Sequence, residues 1–248
     1  MDENGLQYFR MAQELNKKYW DSLNNKKLHF RGNRGSFSLI SLDHETPEQG
    51  IGGFTDKEKG ESFLIETIDS LLEEKRKKVA VGDSRPTREK ELQAWIINYS
   101  INNGYQLPFS SGLTFLTSEL AFTKTEKIVN DILALDQAGN LVVIELKSSR
   151  DKATLQRQVE KFYRTIEGNK EFFKELVTLL SPGSAWNGQM RGMIVWPDSK
   201  LWPHENGQPR TDWKHGIEEI RYKEKLEKVD GKDQRKIYYI EKDKIEFI

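Results

Sequence analysis

DILALDQAGNLVVIELK, residues 131–147, is the stretch on which the fold turns. Two β-prone runs flank Asp136-Gln137-Ala138-Gly139-Asn140, a short polar loop containing glycine, which is the pattern of a β-hairpin. With those five residues as the loop, Leu135 faces Leu141, Leu133 faces Val143 and Asp131 faces Glu145. Side chains alternate along a strand, so Asp131, Glu145 and Lys147 share one face. Directly opposed positions bring Cβ atoms to roughly 4.5–5.5 Å. Two carboxylates at that range repel, and a proton, a cationic side chain or a metal ion must compensate.

A hard divalent cation such as Mg²⁺ takes oxygen ligands and keeps several waters. Asp131, Glu145 and the strand carbonyl of Leu146 would make an open site for one. Lys147, one strand step beyond Glu145, is placed to orient a water or to offset developing negative charge. A plainer reading stands beside this one. Charged residues on a hairpin face are commonly solvated, and Lys147 can pair with either acid. The apolar run VVIELK weighs against it, because a strand buried on both faces rarely ends in idle charges.

Outward from the hairpin, the pattern is helix, strands, helix, strand. REKELQAWIINYSINNG follows Pro86 and Thr87, a plausible helix start, with Leu92, Ile96 and Tyr99 on one face and Asn103-Gly104 as a stop. LTFLTSELAFT reads as a strand before the hairpin. A helix is predicted from about Ala153 to Ile166, another over 170–180, and RGMIVWP as a buried strand. The alternating tail, IEEIRYKEKLEKV and RKIYYIEKDKIEFI, suggests a hairpin with a charged outer face. This order indicates a mixed α/β layer. Upstream, residues 7–24 and 61–79 read as helices, and the glycine-bearing segment 28–60 between them as strand and loop. The chain therefore divides into an N-terminal α/β extension, 1–82, and a second region, 83–248.

The chain of 248 residues is long enough for a sizeable core. Lysine plus arginine number 39 and aspartate plus glutamate 39, so the net charge is zero, and any nucleic-acid surface must be a local basic groove. The absence of cysteine excludes disulfides, thiolate zinc sites and cysteine nucleophiles. The start of the chain lacks a signal-type apolar core, and no apolar run is long enough to cross a bilayer. A cytoplasmic protein with no membrane contact is expected.

Asp131 followed by Glu145-Leu146-Lys147 resembles the signature of the PD-(D/E)XK nuclease superfamily, an acid on one strand and Glu-x-Lys on the next. With the glycine turn before LVVIELK, the phrase is most similar to the NucS-like and RecB-like endonuclease branches. The resemblance covers roughly residues 85–200. It implies a restriction-endonuclease-like mixed central sheet flanked by helices, carrying an N-terminal extension. It also implies a Mg²⁺- or Mn²⁺-dependent phosphodiester hydrolase acting on nucleic acid, with DNA the expected substrate and a homodimer compatible with it. In such families a helix before the sheet carries a Glu in an E-x-x-L context. Glu89 supplies it three residues before Leu92, with Glu91 as the alternative, to assist the metal or its water. Several branches place a Gln on the helix after the Lys, here Gln158, to position Lys147 or the substrate backbone. Asn130 stands where the family carries proline, which leaves the acid intact. A catalytically inactive module that binds nucleic acid or a protein partner is the alternative, and RNA is not excluded as substrate.

The remaining candidates are weaker. His29, His44, His204 and His215 show no metal-ligand spacing. The glycines of GIGG, 50–53, do not follow a strand and open a helix, so a phosphate loop is not expected. Trp186, Trp196, Trp202 and Trp213 are expected mostly in the core, with one or two available to stack on bases. Ser148, Ser149 and Arg150 either contact a phosphate or cap the next helix. Glu119 lies on the preceding strand and could line the cleft. The basic run after Glu73 reads as a solvated helix end.

Overall fold

The computed structural model describes residues 5–43, 48–81, 88–109, 112–121, 129–147, 152–197, 217–229 and 232–240. The expectations for His44, Pro86, Thr87, Ser148 to Arg150, Trp202, His204, Trp213 and His215 lie outside them. So do those for the side chains of the basic run from Lys75 onward and of the tail from Lys223 onward.

The first predicted helix forms in two pieces, α1 (Gln7–Lys18) and α2 (Trp20–Asn25), because the backbone leaves helical geometry at Tyr19. The segment that follows is a three-stranded antiparallel sheet of β1 (Leu28–Gly32), β2 (Phe37–Ser41) and β3 (Glu48–Phe54). Gly50 to Gly53 lie inside β3 rather than in a phosphate loop. The second predicted helix also divides, into α3 (Lys57–Glu66) and α4 (Ile68–Val81), with the break at Thr67. It starts earlier than its apolar spacing suggests because the Asp56 side chain accepts from the Lys59 N–H and caps the first turn.

After α5 (Arg88–Asn102) come β4 (Leu113–Ala121), β5 (Val129–Asp136) and β6 (Leu141–Leu146). Then follow α6 (Lys152–Glu167), α7 (Lys170–Leu180), β7 (Met190–Pro197), β8 (Glu218–Val229) and β9 (Lys232–Ile240). The six strands β4 to β9 lie side by side in chain order. β4, β5 and β6 pair antiparallel, β6–β7 and β7–β8 pair parallel, and β8–β9 closes as an antiparallel hairpin. The fold is mixed α/β.

The β5–β6 hairpin has the register read from its sequence, Leu135 opposite Leu141 and Leu133 opposite Val143. Its turn is fixed by Asp136, whose carboxylate accepts from the Asn140 backbone (2.8 Å) and pairs with Arg191 (2.7 Å), while Gly139 takes φ +82°. Even-numbered side chains, Ile132, Ala134, Val142, Ile144 and Leu146, pack under Leu92, Ile96 and Ile97 of α5. Odd-numbered ones, Leu133, Leu135, Leu141 and Val143, pack against Phe162, Ile166, Phe173 and Leu176 of α6 and α7. Every residue of β6 is buried, because helices cover both its faces.

The N-terminal elements have their own core around Leu15, Phe30, Phe37, Leu39 and Ile68. They also lend residues to the large sheet. Leu6 and Phe9 join the α7 side, and Ile40 and Leu42 join the α5 side. Trp186 and Trp196 are core residues, as expected. Among the described residues no helix is long and apolar enough to cross a membrane.

Close packing of α6 on β7 depends on Gly192. A Cβ there would lie 2.8 Å from Tyr163 Oη and 2.9 Å from Val159 Cγ1 and Ile217 Cγ1. Three elements would have to part, so Gly192→Ala is expected to destabilise the protein by about 1–3 kcal/mol. The shift of the urea unfolding midpoint measures this.

Candidate functional site

The site lies where the start of β5, the end of β6 and the first turn of α5 meet. Continuing the ladder one step past Ile132↔Ile144 sets Asp131 opposite Glu145. Ladder hydrogen bonding stops there, and the Asp131 side chain takes over: its Oδ2 accepts from the Leu146 N–H at 2.7 Å. What the structure records at Leu146 is thus a donated N–H. The Asp131 carbonyl accepts from Gln93 Nε2 at 2.8 Å, which ties β5 to α5. Gln93 was not singled out from the sequence; it follows Glu89 by one helical turn, and that spacing is the signal that would have found it.

Glu145 is 1% exposed. Its carboxyl faces Asp131 across the ladder, yet Oε1 is buried with no hydrogen-bond partner. Burial pushes Glu145 well above the ordinary carboxylate range, and the Asp131 charge adds to it, with Lys147 opposing. Burial likewise raises Asp131 from 3.8 to about 6, against Lys147 and the Leu146 N–H, with Glu119 and Glu89 raising it further. Each acid therefore holds its proton more tightly than a free carboxyl group does when nothing else compensates the pair. Lys147 Nζ stands 3.7 Å from a Glu89 carboxylate oxygen. Of the two helix carboxylates weighed from the sequence, Glu89 is the one at Lys147.

The structure thus brings Asp131, Glu145, Lys147 and Glu89 together. Gln158 is on α6 with Oε1 buried and without a hydrogen-bond partner, and no hydrogen bond joins it to Lys147. Asn130 has both amide atoms buried and unpartnered on a fully buried side chain. Such a group costs about 1–3 kcal/mol. Its cost beside the site was not foreseen from the sequence. His29 is away from the carboxyl pair, on a groove of about 960 Å³ between α1, β1 and β4 that neither Asp131 nor Glu145 lines.

The donor set suits a hard divalent cation. Two hard carboxylates face each other, one buried oxygen lacks any partner, and an ammonium stands alongside without occupying it. Among the described residues no group of three or more His, Asp or Glu is arranged to hold an ion. Water and substrate oxygens would have to fill the remaining positions, which is the habit of Mg²⁺. No family model, curated protein or solved structure matched the chain, so fold and site rest on their own geometry.

Proposed function

We propose that this protein is a metal-dependent nuclease that hydrolyses phosphodiester bonds, with DNA as the expected substrate. One observation carries the reading: the buried Asp131–Glu145 pair, with an unsatisfied oxygen and Lys147 beside it. The succession α5-β4-β5-β6-α6-β7, with the acids on β5 and β6, supports a restriction-endonuclease-like core.

In this reading Asp131 and Glu145 hold Mg²⁺ or Mn²⁺, with the Leu146 carbonyl as a supporting donor and Glu89 acting on the ion's water. The bound ion supplies Lewis acidity toward a phosphate oxygen and makes water more acidic. Lys147 presents an ammonium to the attacking water or the phosphate oxygens. Glu89 holds that ammonium in place. Gln158, with a free buried acceptor, orients a donor on water or substrate. Because both acids hold protons more tightly than free carboxyl groups and must lose them to bind the ion, affinity rises with pH.

The test is cleavage of single-stranded, duplex and branched DNA, and of RNA, with Mg²⁺ or Mn²⁺. The parent is expected to cut at least one of them, and Asp131→Ala to lose activity by about a hundredfold or more. Equal cutting by the parent and Asp131→Ala would sink the assignment. A second reading, a non-catalytic scaffold for nucleic acid or protein, is favoured by the lack of a converging third acid among the described residues. Absence of any effect of Mn²⁺ on melting would support it.

A further inference from the structure

We infer that the β1–β2 turn of the N-terminal unit completes the metal site by holding Glu119 as an outer carboxylate, one that meets the cation through a bound water. The inference rests on the metal-site reading above.

Glu119 sits between the pairs Ser118↔Ile132 and Leu120↔Asn130, hence opposite Asp131. Since Asp131 is in turn opposite Glu145, three acids form a row across β4, β5 and β6. The row has its own sign of a missing ligand, the buried and unpartnered Glu145 Oε1. Glu119 stands one strand pairing from Asp131 and two from Glu145. It does not converge with them as a third direct ligand. A carboxylate near enough to act on the ion's electrostatics, but outside its direct ligands, is suited to accept a hydrogen bond from coordinated water.

The backbone at Glu119 is unusual. Its φ is +51°, a left-handed value that costs a non-glycine residue about 1–2 kcal/mol. The turn between β1 and β2 offsets that cost. Asn33 Nδ2 donates to the Glu119 carbonyl at 3.0 Å, and Asn33 Oδ1 accepts from the Ala121 N–H at 3.2 Å. One side chain thus ties the two peptide groups that flank Leu120, immediately after Glu119. The turn is itself anchored, by the Asn33 N–H to the Ser36 carbonyl (2.8 Å) and by Arg34 over the Phe172 ring (5.3 Å). Arg31 on β1 adds charge. Its guanidinium is buried, which lowers its pKa, and the Glu119 carboxylate offsets that burial. A plain fastening role, an ion pair that merely joins two parts of the fold, would use the same contacts. Cation affinity separates the two.

The experiment is calorimetric titration of Mn²⁺ into the full chain, comparing wild type with Glu119→Asn, Glu119→Asp and Asn33→Ala, each also melted. Asn and Asp both tolerate left-handed backbone, so they differ in charge alone. Glu119→Asn is expected to weaken Mn²⁺ binding by about 10- to 100-fold. Glu119→Asp is expected to keep most of the affinity. Asn33→Ala, which leaves every carboxylate in place, is expected to weaken binding as well, and decides the matter if Glu119→Asn does not fold. Mn²⁺ affinity equal to wild type in Glu119→Asn, or in Asn33→Ala when that variant must decide, overturns the inference and leaves the metal-site reading standing. A wild-type chain that binds no Mn²⁺ overturns both.

Discussion

Asp131→Asn is expected to abolish cleavage and, in the same protein without metal, to raise stability at pH 8 by on the order of 1–3 kcal/mol. The amide keeps the shape and can still accept from the Leu146 N–H, so packing and the 2.7 Å hydrogen bond survive. What disappears is a buried negative charge beside a second buried carboxyl group. Asp131 binds its proton more tightly folded than unfolded, about 6 against 3.8. Its contribution to stability is therefore complete below about 3.8 and vanishes as pH rises through about 6. At one pKa unit per 1.36 kcal/mol, a shift of this size is worth a few kcal/mol at most, and residual solvent access trims it. Urea melts of both proteins at pH 4 and pH 8 provide the check. The difference between them should be small at pH 4, open by pH 8, and close again when Mn²⁺ is added to the wild type. A variant less stable than wild type at pH 8 would mean that the pair is not under repulsion.

Lys147→Met separates binding from chemistry. The ammonium stands 3.7 Å from Glu89 and lowers the proton affinity of both acids, but it is no metal ligand. Removing it is expected to cut turnover by about 10²–10³, the usual cost of losing one group aimed at developing charge. Mn²⁺ affinity at pH 8 should hold or tighten, because a competing cation has gone. Arginine should not restore the rate, since a planar fork cannot take the place of a compact ammonium. Turnover and Mn²⁺ affinity falling together would show that Lys147 builds the site rather than serving in it.

The part of this arrangement legible in the sequence is the part encoded locally. The β5–β6 hairpin follows from strict alternation on either side of a five-residue polar loop, and its register follows from loop length, so the meeting of Asp131 and Glu145 could be read in advance. Glu89 came from the resemblance, which asks for a Glu in an E-x-x-L context and left Glu91 as the alternative; of the two, Glu89 stands at Lys147. The breaks at Tyr19 and Thr67 were missed, because the apolar spacing on either side continues as if one helix ran through. More consequential for the site, Asn33 reaches Glu119 across 86 residues. A contact of that length leaves no periodic trace in either segment. The left-handed backbone at Glu119 could not be foreseen either, since nothing at Glu119 itself departs from an ordinary strand pattern and the side chain that bonds its carbonyl lies in a distant turn. Gln158 lies on α6, the helix expected to carry it; it makes no hydrogen bond to Lys147, which leaves the substrate backbone as the other role expected of it.

Mn²⁺ soaked into crystals of the protein, with anomalous diffraction recorded, addresses the central claim most directly. A single peak between Asp131 and Glu145, with carboxylate oxygens at roughly 2.0–2.2 Å, is the predicted result. Saturating Mn²⁺ that leaves no peak between the two carboxyl groups would contradict it.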